Sequence, residues 1–146
     1  MRHFAIAIQV LGLAALASVA HAGEGGQMKL TVTSLRNAKG TVRCAVFRSA
    51  DGFPKEVGKA VAQSESSISG ETATLEFTGI AAGTYAVSCL HDEDDDGTLT
   101  TNLLGIPKEG LGASNDAKHA FGPPTYDEAK FEFDGSVKNI TVHVGY

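Results

Sequence analysis

The feature that most constrains the fold is the spacing of apolar residues, which alternates every second position in short runs and almost nowhere follows a helical period. Met28 to Leu35 places Leu30 and Val32 on one side, and Thr41 to Phe47 places Val42, Cys44 and Val46 on one face. Thr72 to Phe77 does the same with Ala73, Leu75 and Phe77, and Thr84 to Leu90 with Tyr85, Val87 and Cys89. Lys59 to Gln63 is a weaker run, followed by the polar stretch Ser64 to Gly70, while Lys130 to Phe133 and Asn139 to Val144 form the last pair. Turn residues separate these runs at Asn37-Ala38-Lys39-Gly40, at Thr78 to Gly83 and at Asp134-Gly135-Ser136. Arg48 to Glu56, with Asp51-Gly52 and Phe53-Pro54, reads as a loop or a single helical turn. About seven short strands with turns between them predict an all-β antiparallel sandwich. The alternating, aromatic-ended C-terminus also suits an outer-membrane barrel, but a barrel needs strands of ~9–11 residues and two aromatic girdles. These runs are shorter and the aromatics too few.

The first 22 residues are set apart from this pattern. Met1-Arg2-His3 is a short basic start, Phe4 to Ala17 is almost unbroken apolar sequence, and Ala20-His21-Ala22 supplies the small residues of a cleavage site. That is the form of a signal peptide, 1–22, which predicts an exported chain, periplasmic or secreted, with one mature domain over 23–146. The apolar run is shorter than the ~20 residues of a spanning helix, so no membrane span is expected in the mature chain. Without Arg2, the twelve Lys and Arg become eleven, against seventeen Asp and Glu, for a mature charge of −6. Five of those acids, Asp92 to Asp96, are consecutive, so the negative charge is local. An acidic balance with three Tyr, seven Phe and no Trp argues against a nucleic-acid surface.

Export places Cys44 and Cys89 in an oxidising compartment, where an even count favours a bond between them. The alternative is a pair of unpaired buried cysteines packing as small apolar residues. If bonded, the two strands are expected to face each other across the core.

From Leu90 to Tyr126 the chain departs from plain scaffold: His91-Asp92-Glu93-Asp94-Asp95-Asp96-Gly97, then Gly105-Ile106-Pro107, Ser114-Asn115-Asp116 and Phe121-Gly122-Pro123-Pro124. Together with Gly83-Thr84-Tyr85-Ala86-Val87, these motifs closely resemble the family of small exported bacterial proteins catalogued as domain of unknown function 2141. The resemblance runs from about Leu30 to Tyr146. It implies an immunoglobulin-like or transthyretin-like sandwich and supplies no activity. Members often carry Asn within the acidic turn and an acid after the Leu, where this chain has Asp95, Asp96 and Thr100. The aperiodic stretch from Gly97 to Pro124 reads as one long ordered loop, with Ile106, Leu111 and Phe121 as its packing anchors and a surface for a protein or glycan partner.

Catalytic chemistry is thinly supplied. The mature histidines are His91, His119 and His143, Ser114 does not sit in a nucleophile elbow, and no phosphate-cradling or paired-cysteine zinc motif occurs. A metal-dependent enzyme using His91 and the neighbouring acids, or an acid/base pair of Glu109 with one of them, is the alternative to a non-catalytic module. The acids themselves fit calcium better. Asp92, Asp94 and Asp96 followed by Gly97 reproduce the first, third, fifth and sixth positions of a calcium loop, with the Thr98 carbonyl as the next ligand. The twelfth position is Leu103 instead of a bidentate Glu, so Glu109 or Asn102 is the nearest candidate for a completing ligand. The competing reading is a solvated acidic turn.

Overall fold

The computed structural model describes residues 25–146; the expected signal peptide lies outside the described residues. In chain order the strands are β1 (Gly26–Thr33), β2 (Thr41–Phe47), β3 (Ala62–Ser67), β4 (Ala73–Ile80), β5 (Gly83–Asp92), β6 (Gly110–Ala113), β7 (Phe131–Phe133) and β8 (Val137–His143), with a short α-helix, α1 (Tyr126–Ala129), and 3-10 turns at Val57–Lys59 and Ser114–Asp116. They form a three-stranded sheet, β4-β1-β8, facing a five-stranded one, β3-β2-β5-β6 with β7 also paired to β5. This is the all-β sandwich expected from the alternation, with eight strands in place of about seven. One pairing departs from the antiparallel rule, since β1 and β8 run parallel, with Leu30 opposite Ile140 and Val32 opposite Val142.

The core is built from the faces that the alternation selects. Met28, Leu30 and Val32 of β1, Val42, Cys44 and Val46 of β2, Leu75 and Phe77 of β4, and Tyr85, Val87 and Cys89 of β5 are all buried in one cluster. Tyr85 closes the β4–β5 turn by donating its hydroxyl to the Ala81 carbonyl (2.8 Å), a tyrosine corner. A smaller apolar patch covers part of the outer face of the larger sheet. There Ala86, Ala113 and Ala129 pack with Phe53 and Tyr126, and the Phe53 ring meets both Phe47 and Tyr126 edge to face.

Four expectations change. Cys44 and Cys89 are disulfide-bonded, but not across the core: they are direct cross-strand neighbours in β2 and β5, with Cα atoms 4.2 Å apart. Period-2 alternation places both on the inner face and does not distinguish a neighbour in the same sheet from a partner in the opposite one. The polar run from Ser64 is mostly strand β3, an edge strand whose exposed side needs no apolar residues. The stretch from Gly97 to Pro124 is not one loop. Thr100–Lys108 forms a tight hairpin, with Thr101 bridged to Pro107, and Gly110–Ala113 joins the sheet as β6. β6 is hidden from sequence patterning because Gly110 and Gly112 lack side chains. A Cβ on either would lie 2.3–2.6 Å from Val144, Tyr146 or Val142, so only glycine lets this strand close onto the end of β8. Finally, Ile106, Leu111 and Phe121 are not packing anchors. All three are exposed, because hydrogen bonds and glycine backbone, not apolar burial, fix these segments.

Candidate metal centre

β5 ends where the sheet ends. Asp92 is its last residue, opposite Thr41 of β2, and the chain then turns sharply. Asp95 and Gly97 both take the left-handed conformation, with φ of 55° and 79°. That geometry sorts the five acids by parity. Glu93 turns to Arg36, with which it forms an ion pair, and Asp95 accepts from the Thr41 hydroxyl (2.8 Å). Asp92, Asp94 and Asp96 converge on the other side, each offering a carboxylate oxygen within 4.8 Å of the other two. Two oxygens on one calcium ion lie at most about 5 Å apart, so the three carboxylates are spaced to share an ion.

The turn is internally ordered. The Gly97 amide donates back to Asp92 Oδ2 (2.8 Å), the Asp96 amide to Asp94 (3.3 Å) and the Thr98 amide to Asp96 (2.9 Å). A positive φ at the position after the third acid is what the glycine there supplies.

Asp92 is the unusual member. It is fully buried, and its Oδ2 accepts from Arg43 Nε (2.7 Å) as well as from Gly97. Its Oδ1 has no hydrogen-bond partner; among the described residues the only other such buried side-chain atom is the Thr33 hydroxyl oxygen. Burial pushes the Asp92 pKa up, but the Arg43 guanidinium and the Gly97 amide outweigh it and hold it below the ordinary aspartate value. The group therefore stays a carboxylate at neutral pH with one bare buried oxygen, and a buried acceptor left bare costs about 1–3 kcal/mol, more when charged. Arg43 also pairs with Glu65, so it bridges the turn to the edge strand. Three carboxylates therefore meet with one guanidinium, itself shared with Glu65, so the cluster is net negative and attracts a cation.

The remaining candidates separate. Glu109 is buried, and its two oxygens accept from the Glu93 amide and the Thr100 amide, both at 3.0 Å. It is a clamp between the turn and the hairpin. Asn102 Oδ1 accepts from the Leu104 and Ile106 amides and fixes the hairpin bend, so it does not complete a metal site. Thr98 follows Asp96 directly after the glycine, in the order expected for the next ligand. His91 is fully buried away from the acid cluster: Nε2 lies 2.7 Å from the Lys39 carbonyl, which can only accept, and Nδ1 lies 2.6 Å from the Tyr146 hydroxyl. With both ring nitrogens engaged, it has no free position for a metal. Arg43, Thr41 and Thr100, whose hydroxyl meets Asp94 at 3.2 Å, carry no sequence signal for these roles; their contacts depend on strand register and on the Glu109 clamp.

A second polar cluster occupies the Ser114-Asn115-Asp116 motif. Ser114, fully buried, accepts from the Val87 amide (2.9 Å) and donates to the Ala129 carbonyl (2.6 Å). Asn115 Nδ2 donates to the Lys130 carbonyl (2.8 Å), and Asp116 accepts from both the backbone and the ring of His143 (2.9 and 2.8 Å). Thr125 and Glu128 then cap α1 reciprocally, a T-x-x-E signature legible in the sequence.

Fold and site together define an all-β sandwich with an acidic turn and a clamped hairpin at one end of β5. The chain belongs to a bacterial family, DUF2141, described as an uncharacterised protein conserved in bacteria, which it matches over residues 30–141. No curated protein and no solved structure matches it. No helix among the described residues is long and apolar enough to cross a membrane.

Proposed function

We propose that this chain is an exported, non-catalytic β-sandwich module whose acidic turn binds one calcium ion through Asp92, Asp94, Asp96 and the Thr98 carbonyl, and whose long segment carries the partner-binding surface. The observation that carries the calcium reading is the bare, buried Oδ1 of Asp92, whose carboxyl group belongs to a cluster of three carboxylates. A cation supplies what that oxygen lacks, and oxygen-only donors suit a hard ion such as calcium better than a transition metal. The cross-strand disulfide suits an oxidising compartment and supports export. With no acid at the twelfth position and Glu109 occupied by two amides, the protein's own ligands are few and water completes the shell, which places affinity near the ~10⁻⁴–10⁻³ M of extracellular modules. Calorimetry tests this: one saturable calcium site, weaker magnesium binding, and loss of both in Asp94→Ala with Asp96→Ala. A flat calcium titration at about millimolar concentration reduces the turn to surface charge.

A further inference from the structure

The hairpin clamped to the acidic turn ends in an apolar tip with no cover. Leu103 and Leu104 are 105% and 83% exposed, and Ile106 is 55% exposed. Loose loops often expose such residues, but this one is held. Asn102 Oδ1 bonds two amides of the bend, the Asn102 amide meets the Ile106 carbonyl (2.9 Å), and the Lys108 amide meets the Thr100 carbonyl (2.8 Å). At its base, Glu109 ties Thr100 to Glu93, and the Thr100 hydroxyl bonds Asp94. The acidic turn and the leucine tip are therefore one hydrogen-bonded unit.

We propose that this tip inserts into an anionic lipid bilayer when calcium fills the acidic turn, a reading that rests on the calcium site above. Shape argues for a bilayer over the protein or glycan partner expected from sequence. The tip is convex and carries three aliphatic side chains, far short of the roughly 800 Å² per partner of a stable protein interface. From Thr100 to Lys108 it has no aromatic ring on which a sugar could stack. A fluid apolar phase accepts a protruding leucine pair with no preformed pocket, and shallow insertion plus electrostatic attraction is the pairing of signals that makes peripheral binding stable.

Charge decides the headgroup. Lys108 flanks the hairpin and Lys39 lies in the β1–β2 loop at the same end, where its carbonyl meets His91; both are exposed and neither is in an ion pair among the described residues. They suit lipid phosphates. Exposed Asp94, Asp95 and Asp96 beside them repel the same surface, so a divalent cation in the turn cancels most of the opposing charge and lets the lysines act. From Gly97 to Lys108 the sequence holds no acid, so nothing on the hairpin itself opposes contact.

Co-sedimentation of the protein with vesicles tests the proposal, using phosphatidylcholine alone or mixed equally with phosphatidylglycerol, in about millimolar calcium or in chelator. Sedimentation is expected with anionic vesicles in calcium only, and Leu103→Ser with Leu104→Ser should weaken it at least about tenfold. Both positions are solvent-exposed, so the variant is expected to keep its melting temperature and its calorimetric calcium binding. Equal sedimentation by the variant overturns the proposal. A calcium heat with no sedimentation overturns docking and leaves the calcium reading standing. A flat titration with sedimentation unchanged by chelator overturns the calcium reading and the calcium dependence together. Calcium-driven self-association without vesicles, lost in the leucine variant, assigns the tip to a protein surface and overturns bilayer docking.

Discussion

The two polar clusters flanking β5 are made from similar materials and end in opposite states. At Ser114-Asn115-Asp116 the acceptors and donors that tie the motif down have protein partners, reaching β5, β8 and the residues around α1. At Asp92–Asp96 the backbone is equally well tied, yet one buried carboxylate oxygen has no partner. A buried polar group that is fully paired stabilises a unique fold, and a buried carboxylate oxygen left unpaired can still accept from water or bind an ion. Motif residues alone do not separate the two; the leftover acceptor does.

The largest expected effect comes from removing the bond that lies between the clusters. Cys89 sits between Val87, whose amide Ser114 holds, and Asp92, which ends the strand. The disulfide closes a separation of 45 residues, so reduction should cost about 4 kcal/mol in the chain-entropy model and lower Tm by roughly ten degrees or more. Melting with and without reductant measures it, and two reactive thiols in denatured, unreduced protein would rule the bond out. The next effect separates the clusters from each other. Ser114→Ala strands the buried Val87 amide and should cost about 1–3 kcal/mol with no change in calcium affinity. Asp94→Asn, at an exposed position, should change metal-free stability by no more than about 0.5 kcal/mol while weakening calcium binding. If Ser114→Ala is the variant that loses calcium, or Asp94→Asn the one that unfolds, the assignment of roles is reversed.

How far the sequence reaches follows the same division. β1 and β4 are legible because their inner faces are apolar and their outer faces are not, the condition for alternation to report a strand; β2 and β5 are legible from Val42, Cys44 and Val46 and from Tyr85, Val87 and Cys89, although Ala45, Phe47 and Ala86 are also buried on the outer face. β3 fails that condition as a polar edge, and β6 because Gly-Leu-Gly-Ala has little side chain to alternate. The cysteine pair is legible as a pair but not as a neighbour pair, since face and partner strand are independent facts. In the acidic turn, spacing and the glycine locate Asp92, Asp94 and Asp96 on one side. Arg43 is not legible. It lies opposite Leu90, one diagonal step from Asp92 on the same face, and that step exists only once the β2–β5 register is set.

The smallest effect concerns acid. In the closed cluster, the Thr125 amide bonds Glu128, His119 lies 2.9 Å from it, and together they lower its pKa to about 2 despite a partial desolvation penalty. Burial raises Asp116, but the backbone and ring of His143 outweigh it and leave its pKa below the ordinary range. Because both folded values lie below the unfolded ones, each group stabilises the fold fully above its unfolded pKa. That contribution is lost as pH falls through the folded value. Stability should therefore decline from about pH 4.5 downward, the Glu128 share disappearing only near about pH 2. Asp92 is also held low, so it keeps its charge below the ordinary aspartate range. An NMR titration following the Thr125 amide reads the closed cluster directly. A midpoint near 4.5, the unshifted glutamate value, would show that the Thr125–Glu128 cap is open in solution and that this cluster, too, has valence to spare.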